Sequence, residues 1–358
     1  MRPPDRVLDL GLAAFATVAF VLIALLVVRS QAVAGGLGGD FLAYDAAARR
    51  LVAGADLYDQ SATQFGAPNA FFYPPPFALL LAPVALVPSG VALEVWILGL
   101  IIATVIAILV MPVSLRIRSV VMLLASVSWP VLYAIKLGQV GPFVLLLFAV
   151  GWRSLARQTG LGLTIALGAI GKVQPVVLVS WAALTGRLRA ATVSVAVLIA
   201  VSALATVVAG PQAWRDWFTV LARASASPAT HDVAISRLAL DAGASASVVD
   251  GLVALNFALV VLTCVVAVRV ATAEASYLTF VTASQLLSTV LWDHYALVLL
   301  LPVAWLVSQG RLWTALIPLA SSTLLLGITP VAVYPLAFWV TLVAVVRVGM
   351  HSAATVRA

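Results

Sequence analysis

The groups in this chain that could do chemistry are a carboxylate, an ammonium and an imidazole, held far apart in sequence by apolar runs. Asp40 opens the stretch GGDFLAYDAAARRLVAGADLYDQSATQFGAPNAFFYPPP, residues 38–76, a polar insert that follows the first apolar segment and carries four of the thirteen carboxylates: Asp40, Asp45, Asp56 and Asp59. Its pattern predicts a helix from Asp40 to about Ala53, closed by Gly54, with Asp40 at the start, where the helix dipole favours negative charge. Tyr44 falls on the Asp40 side of that helix and Asp45 well away from it, so only one of the two carboxylates faces a given pocket. A carboxylate so placed either accepts the proton of an attacking hydroxyl, as a general base in group transfer, or simply caps the helix.

Three further motifs carry polar groups into apolar surroundings, where they are costly. In GKVQP, Lys172 follows an apolar helix and either pairs a phosphate at the membrane interface or snorkels to water. In KLGQVGP, Gln139 offers an amide among glycines that permit close backbone approach, or is an ordinary turn residue. In LWDHYALVLLLP, Asp293 can hold the His294 imidazole in one tautomer, ready for a substrate hydroxyl or phosphate, or the pair is structural.

The elements that position these groups follow from composition. Hydrophobic residues make up 63% of the 358 and charged residues 9%, which no water-soluble globule approaches. The apolar runs are too many for one anchor and too long for barrel strands, so the expected fold is an all-α integral membrane bundle. The formal net charge of +7 comes from arginines scattered singly and in pairs between apolar runs; membrane orientation explains them better than nucleic acid. Cys264 is the single cysteine, so an internal disulfide is impossible.

About twelve transmembrane helices are expected in a single membrane domain, 1–358. The first, Val7 to Val28, is read as an uncleaved signal anchor. The loop 32–90 then carries juxtamembrane helices, the first expected on the membrane surface with one apolar face. Phe77 to Val87, interrupted by Pro83, is too short to span and is read as juxtamembrane or re-entrant. The remaining crossings are expected at about 91–112, 118–135, 141–152, 158–171, 173–185, 189–209, 251–271, 274–291, 295–309, 311–328 and 330–348. A second outer loop, 210–250, includes Trp214, Trp217, His231 and Asp232. Twelve crossings place Arg116 with Arg118, Arg153 with Arg157, and Arg187 with Arg189 in the cytoplasm, together with both termini. Asp40, Gln139, Lys172 and His294 then share the extracytoplasmic face of the cell membrane. The short segments between 141 and 185 are expected to line an outward-opening cavity, since broken helices persist at membrane depth only when so covered.

Some chemistries find no support. There is no P-loop and no GxGxxG, and no soluble segment large enough for a nucleotide. With three histidines, no HExxH, no cysteine cluster and no DxD in the insert, neither a metal nor another cofactor is indicated.

Taken in series, GGDFLAYDAAARRLVAGADLYD, FFYPPPFALLLAPVALVP, KLGQVGP, GKVQP and LWDHYALVLLLP resemble glycosyltransferase family 87, spread over most of the chain. The resemblance implies a GT-C-like bundle that uses polyprenyl-phosphate sugars as donors, as in the mannosyltransferases and arabinofuranosyltransferases of bacterial cell-envelope glycolipids. It implies that Asp40 is the acidic base of the first extracellular loop, and that Tyr73 with Pro74, Pro75 and Pro76, and Asp293, His294 and Tyr295, belong to the site. The expected function is inverting transfer of a sugar, mannose first among candidates, from a polyprenyl-phosphate donor to a hydroxyl of a glycolipid or polysaccharide acceptor. Asp40 is the base, and Tyr44, Tyr73, Gln139, Lys172, Asp293 and His294 bind substrate. The alternatives are a lipid-linked sugar flippase or other transporter, whose polar groups should lie at several depths, and an accessory scaffold that tolerates loss of those residues.

Overall fold

The computed structural model describes residues 3–61, 70–225, 232–288, 290–320 and 331–357. Among them the chain is helical, with no strand and one isolated antiparallel bridge between Asp232 and Trp292. His231 and part of the expected 311–328 crossing lie outside the described residues.

The helices are α1 (Pro3–Val33), α2 (Gly39–Val52), α3 (Pro75–Leu81), α4 (Ser89–Val110), α5 (Leu115–Val127), α6 (Trp129–Leu137), α7 (Gly141–Arg153), α8 (Gln158–Gly171) and α9 (Val177–Leu184). They continue as α10 (Leu188–Ala209), α11 (Gln212–Ser225), α12 (Ile235–Asp241), α13 (Ala246–Val270), α14 (Ala273–Leu286), α15 (Leu300–Ser308), α16 (Leu316–Ala320) and, last, Val333–Arg357, here α17. Local signals set several ends: the Ser114 hydroxyl caps α5 by accepting from Ile117 N, Thr272 caps α14 by accepting from Ala275 N, and left-handed Gly138 closes α6.

By length and composition five helices can cross a membrane: α1 from Arg6, α4, α10, α13 and α17 to Ala354. A sixth crossing is possible if α5 and α6, bent by 63°, form one broken span. The bend falls at Ser128, whose backbone is extended, just before Trp129 and Pro130; proline cannot donate to the preceding turn, so the straight 118–135 helix expected from hydropathy breaks here. Several other expected crossings are helices of 10–17 residues, including 141–153, 158–171, 174–184 and 293–308. The protein is therefore a multi-pass membrane protein with five or six length-qualified spans among the described residues, a coarser count than twelve.

Burial divides the helices unevenly. Only 17% of the apolar window of α1, α10 or α13 is buried within the protein, so most of their surface is left for lipid. By contrast every residue from Ala275 to Leu286 in α14 is buried, as are all seven of the 3₁₀ turn Asp293–Leu299. Against these pack α7, α15 and α17.

The residues expected on the apolar face of α2, Phe41, Tyr44, Ala48 and Leu51, are buried, and so are Ala43, Asp45 and Ala47 beside them, so seven of its 14 residues are enclosed. α3, α6 and the 3₁₀ turn Ala82–Leu86 pack against it. Asp45 is not solvated. Its carboxylate accepts from Arg49 and, at 2.6 Å, from the Ser89 hydroxyl, while Arg49 also donates to the carbonyls of Ala85 and Val87. This pairing satisfies a charge that would otherwise be expensive to bury.

Candidate active site

Glycine makes the first contact of the site possible. α2 starts from Gly38 at φ 83°, and Gly38 N donates to the Lys136 carbonyl at 2.8 Å. Opposite lies Gly138 at φ 70°, where a Cβ would come within 2.7 Å of Phe41 Cβ. Trp96 Nε1 donates to the Gly138 carbonyl at 2.7 Å. The amino end of α2 is thereby fastened across the carboxyl end of α6.

Asp40 is the second residue of α2, and its side chain makes no capping bond; the cap is Gly38. The capping role considered for Asp40 is therefore not the one it plays. The side chain is partly accessible, yet the surrounding protein is dense enough that burial pushes its pKa up to about 7, against the opposing pull of Lys172.

One helical turn on, the Tyr44 hydroxyl donates to the Tyr73 hydroxyl at 2.8 Å, and Gln139 Nε2 donates to the same oxygen at 3.1 Å. The Gln139 side-chain oxygen accepts from Gly141 N, which assigns the amide orientation through its bonds. Tyr73 accepts twice and keeps its own proton to donate. Burial holds both phenols protonated far above the ordinary range.

Lys172 enters from another direction. Gly171 ends α8, Lys172 is extended, and its side chain is buried. The ammonium lies 3.1 Å from the centre of the Tyr295 ring, a cation–π contact. Burial pulls its pKa well down, with Asp40 acting in the opposite sense. Neither Asp40 nor Lys172 has a side-chain hydrogen bond or an ion pair among the described residues. Beyond the ring, Gln174 Nε2 reaches the Ser288 hydroxyl at 3.4 Å.

Asp293 and His294 begin the buried 3₁₀ turn. Asp293 accepts from Trp129 Nε1 at 3.1 Å and from His294 N at 2.7 Å, with His294 Nδ1 3.5 Å from Oδ1. Burial raises the Asp293 pKa, but the bonds and charge of His294 with the Trp129 bond outweigh it, and the carboxyl sits below its usual range. The His294 ring meets Tyr133 edge to face at 6.0 Å. Tyr133 in turn stacks on Trp129 and lies beneath Lys136.

The two halves adjoin. The charge of Asp40 acts on Lys172, Tyr44, Tyr73, Tyr133 and Tyr295, and that of Asp293 also acts on Tyr133. The structure thus gathers Asp40, Tyr44, Tyr73, Gln139 and Lys172 in one neighbourhood, with Asp293 and His294 reached through Tyr133 and Tyr295. Sequence reading passed over Trp129 and Tyr133; their spacing of four, one turn ahead of Lys136 in WPVLYAIKLGQ, was the signal. A groove lined by Ala234, Ser236, Asn256, Ser288 and Leu291 lies nearby but contains none of these candidates. Among the described residues no three His, Cys, Asp or Glu side chains gather in a group able to hold a metal ion.

The family model of glycosyltransferase family 87 matches residues 71–293. The chain belongs to glycosyltransferase family 87. It is therefore a membrane glycosyltransferase. The matched stretch of this family 87 enzyme includes Tyr73, Gln139, Lys172 and Asp293 and leaves Asp40, Tyr44 and His294 outside it. No curated protein and no solved structure matched the chain.

Proposed function

We propose that this enzyme transfers a sugar, with mannose the first candidate, from a polyprenyl-phosphate donor to a hydroxyl of a cell-envelope glycolipid or polysaccharide, with inversion and with Asp40 as general base. One observation carries the reading: a carboxylate and an ammonium without hydrogen-bond partners come from distant parts of the chain into one protein-dense neighbourhood that remains partly accessible at Asp40.

In the proposed step the acceptor oxygen bonds to the anomeric carbon as its proton passes to Asp40, and the bond from that carbon to the phosphate oxygen breaks. The leaving polyprenyl phosphate gains the negative charge that Asp40 loses. Lys172, which already feels the Asp40 charge, pairs that phosphate, whose growing negative charge favours the protonated amine. A base with a pKa near 7 suits proton abstraction at neutral pH. Tyr73, with a proton to donate, and His294 bind sugar hydroxyls or phosphate; the Gln139 amide and Tyr44 hold Tyr73 in place.

The site is assigned to the extracytoplasmic face and the termini to the cytoplasm because the arginine pairs cluster at the opposite end. Arg153 donates to Val110 O, Arg187 to Leu155 O, and Arg189 N to the Gln158 side chain, joining three loops. The test is transfer from a polyprenyl-phosphate mannose donor by purified wild type and Asp40→Asn. Donor-dependent product from wild type and a large loss in the variant are expected. Equal turnover removes Asp40 as base, while lipid-linked sugar movement across vesicles without product favours the transporter.

A further inference from the structure

An unassigned surface lies on α11. The helix follows the spanning helix α10 after Gly210, where φ is 79°, and Trp214 Nε1 donates back to the Thr206 hydroxyl in the last turns of α10 at 2.8 Å. α11 is therefore held at the level where a span leaves the bilayer. At about 100° per residue its apolar residues cover half the circumference. One quarter, Ala213, Val220 and Ala224, is buried against protein. Trp217, beside them, donates through Nε1 to the Phe72 carbonyl at 3.0 Å, and Arg223 donates to the Gln60 carbonyl.

The adjoining quarter, formed by Leu221, Trp214, Phe218 and Ala222, is equally apolar but faces outward: Phe218 is 60% exposed, and Trp214 and Leu221 are half-buried. The remaining arc is polar, with Arg215, Thr219, Gln212 and Asp216, the last two hydrogen-bonded to each other. Apolar flank, flanking arginine and tryptophans together describe a helix lying in an interface.

We propose that α11 is an interfacial helix whose Trp214–Phe218–Leu221 flank sits in the lipid headgroup layer, with Arg215 at lipid phosphates. The partner is the bilayer surface itself. The choice of lipid rests on continuity with the end of α10, a helix whose own surface is mostly left to lipid. Because Trp217 grips Phe72, next to Tyr73, the floor of the active site is fastened to the same surface. The inference does not depend on which substrate is transferred.

The experiment uses the full chain in lipid nanodiscs, spin-labelled at Phe218→Cys or, separately, at Thr219→Cys. Both sites are exposed, so neither label has to enter the core, and the native Cys264 is buried. Collision rates with oxygen, which concentrates in lipid, and with a water-soluble nickel chelate are compared. The label at 218 should favour oxygen several-fold over the label at 219, and the label at 219 should favour nickel. Equal nickel access at both positions overturns the proposal. So does a label at 218 shielded from both reagents, which would instead indicate a protein covering the flank.

Discussion

The ammonium of Lys172 rests 3.1 Å above the centre of the Tyr295 ring with no carboxylate bound to it, although the charge of Asp40 is felt at the same position. A ring face holds a cation without neutralising it, which leaves Lys172 able to meet an incoming phosphate. Tyr295→Phe keeps the face and should retain most of the activity. Tyr295→Leu removes it and should lower kcat/KM about 10-fold or more, since a desolvated contact of this type is worth about 2 kcal/mol. Steady-state kinetics on the two variants separate the ring from its hydroxyl.

Asp40→Asn keeps the shape of the side chain and removes the proposed base. A loss in kcat of about 10²–10⁴-fold is expected, with donor affinity within a few-fold of wild type. Binding of a labelled polyprenyl-phosphate sugar and single-turnover transfer on the same preparation distinguish the two quantities.

The pH profile has a direction fixed by burial. As the proposed base Asp40 would act only when deprotonated, so kcat/KM should rise as pH rises through about 7 and level off above it. Lys172 draws that pKa down. Lys172→Met should therefore move the rising limb to higher pH while also lowering the plateau, and a limb that stays in place would contradict coupling between the two.

Gly138→Ala tests the crossing of α2 and α6. The new Cβ would stand 2.7 Å from Phe41 Cβ at a residue with φ 70°, so left-handed strain of about 1–2 kcal/mol adds to a backbone-level clash. A lower thermal midpoint and reduced transfer are expected together.

Asp45→Ala tests the other carboxylate of α2. It strips Ser89 and Arg49 of their acceptor, which should destabilise the protein by about 1–3 kcal/mol while leaving the acid limb of the pH profile where it is. Thermal melting and the pH profile on one sample decide the matter.

Much of this arrangement could be read from residue order. Glycines bracket α2, so its expected extent, Asp40 to about Ala53, differs from the observed Gly39–Val52 by one residue at each end. KLGQVGP and GKVQP each break a helix beside a polar side chain, and both breaks adjoin Asp40. What hydropathy could not supply was depth. α2 has the composition of a surface helix because its buried polar atoms are satisfied by Arg49, Ser89 and Tyr73, partners remote in sequence or indistinguishable there from solvent-facing residues. Near α14 hydropathy does not separate a crossing from a short enclosed helix, because burial in protein and burial in lipid select the same residues. Tyr133 escaped notice for the same reason, as an aromatic in an apolar helix is ordinarily core.

Of the groups around Asp40, none comes from the five long helices: they belong to α2, the segment before α3, the second half of a bent pair, two helix breaks and a 3₁₀ turn. A bilayer of different thickness changes chiefly the tilt of long helices. The candidate site groups ride on short pieces braced against one another, so such tilting can proceed around them while their mutual spacing holds.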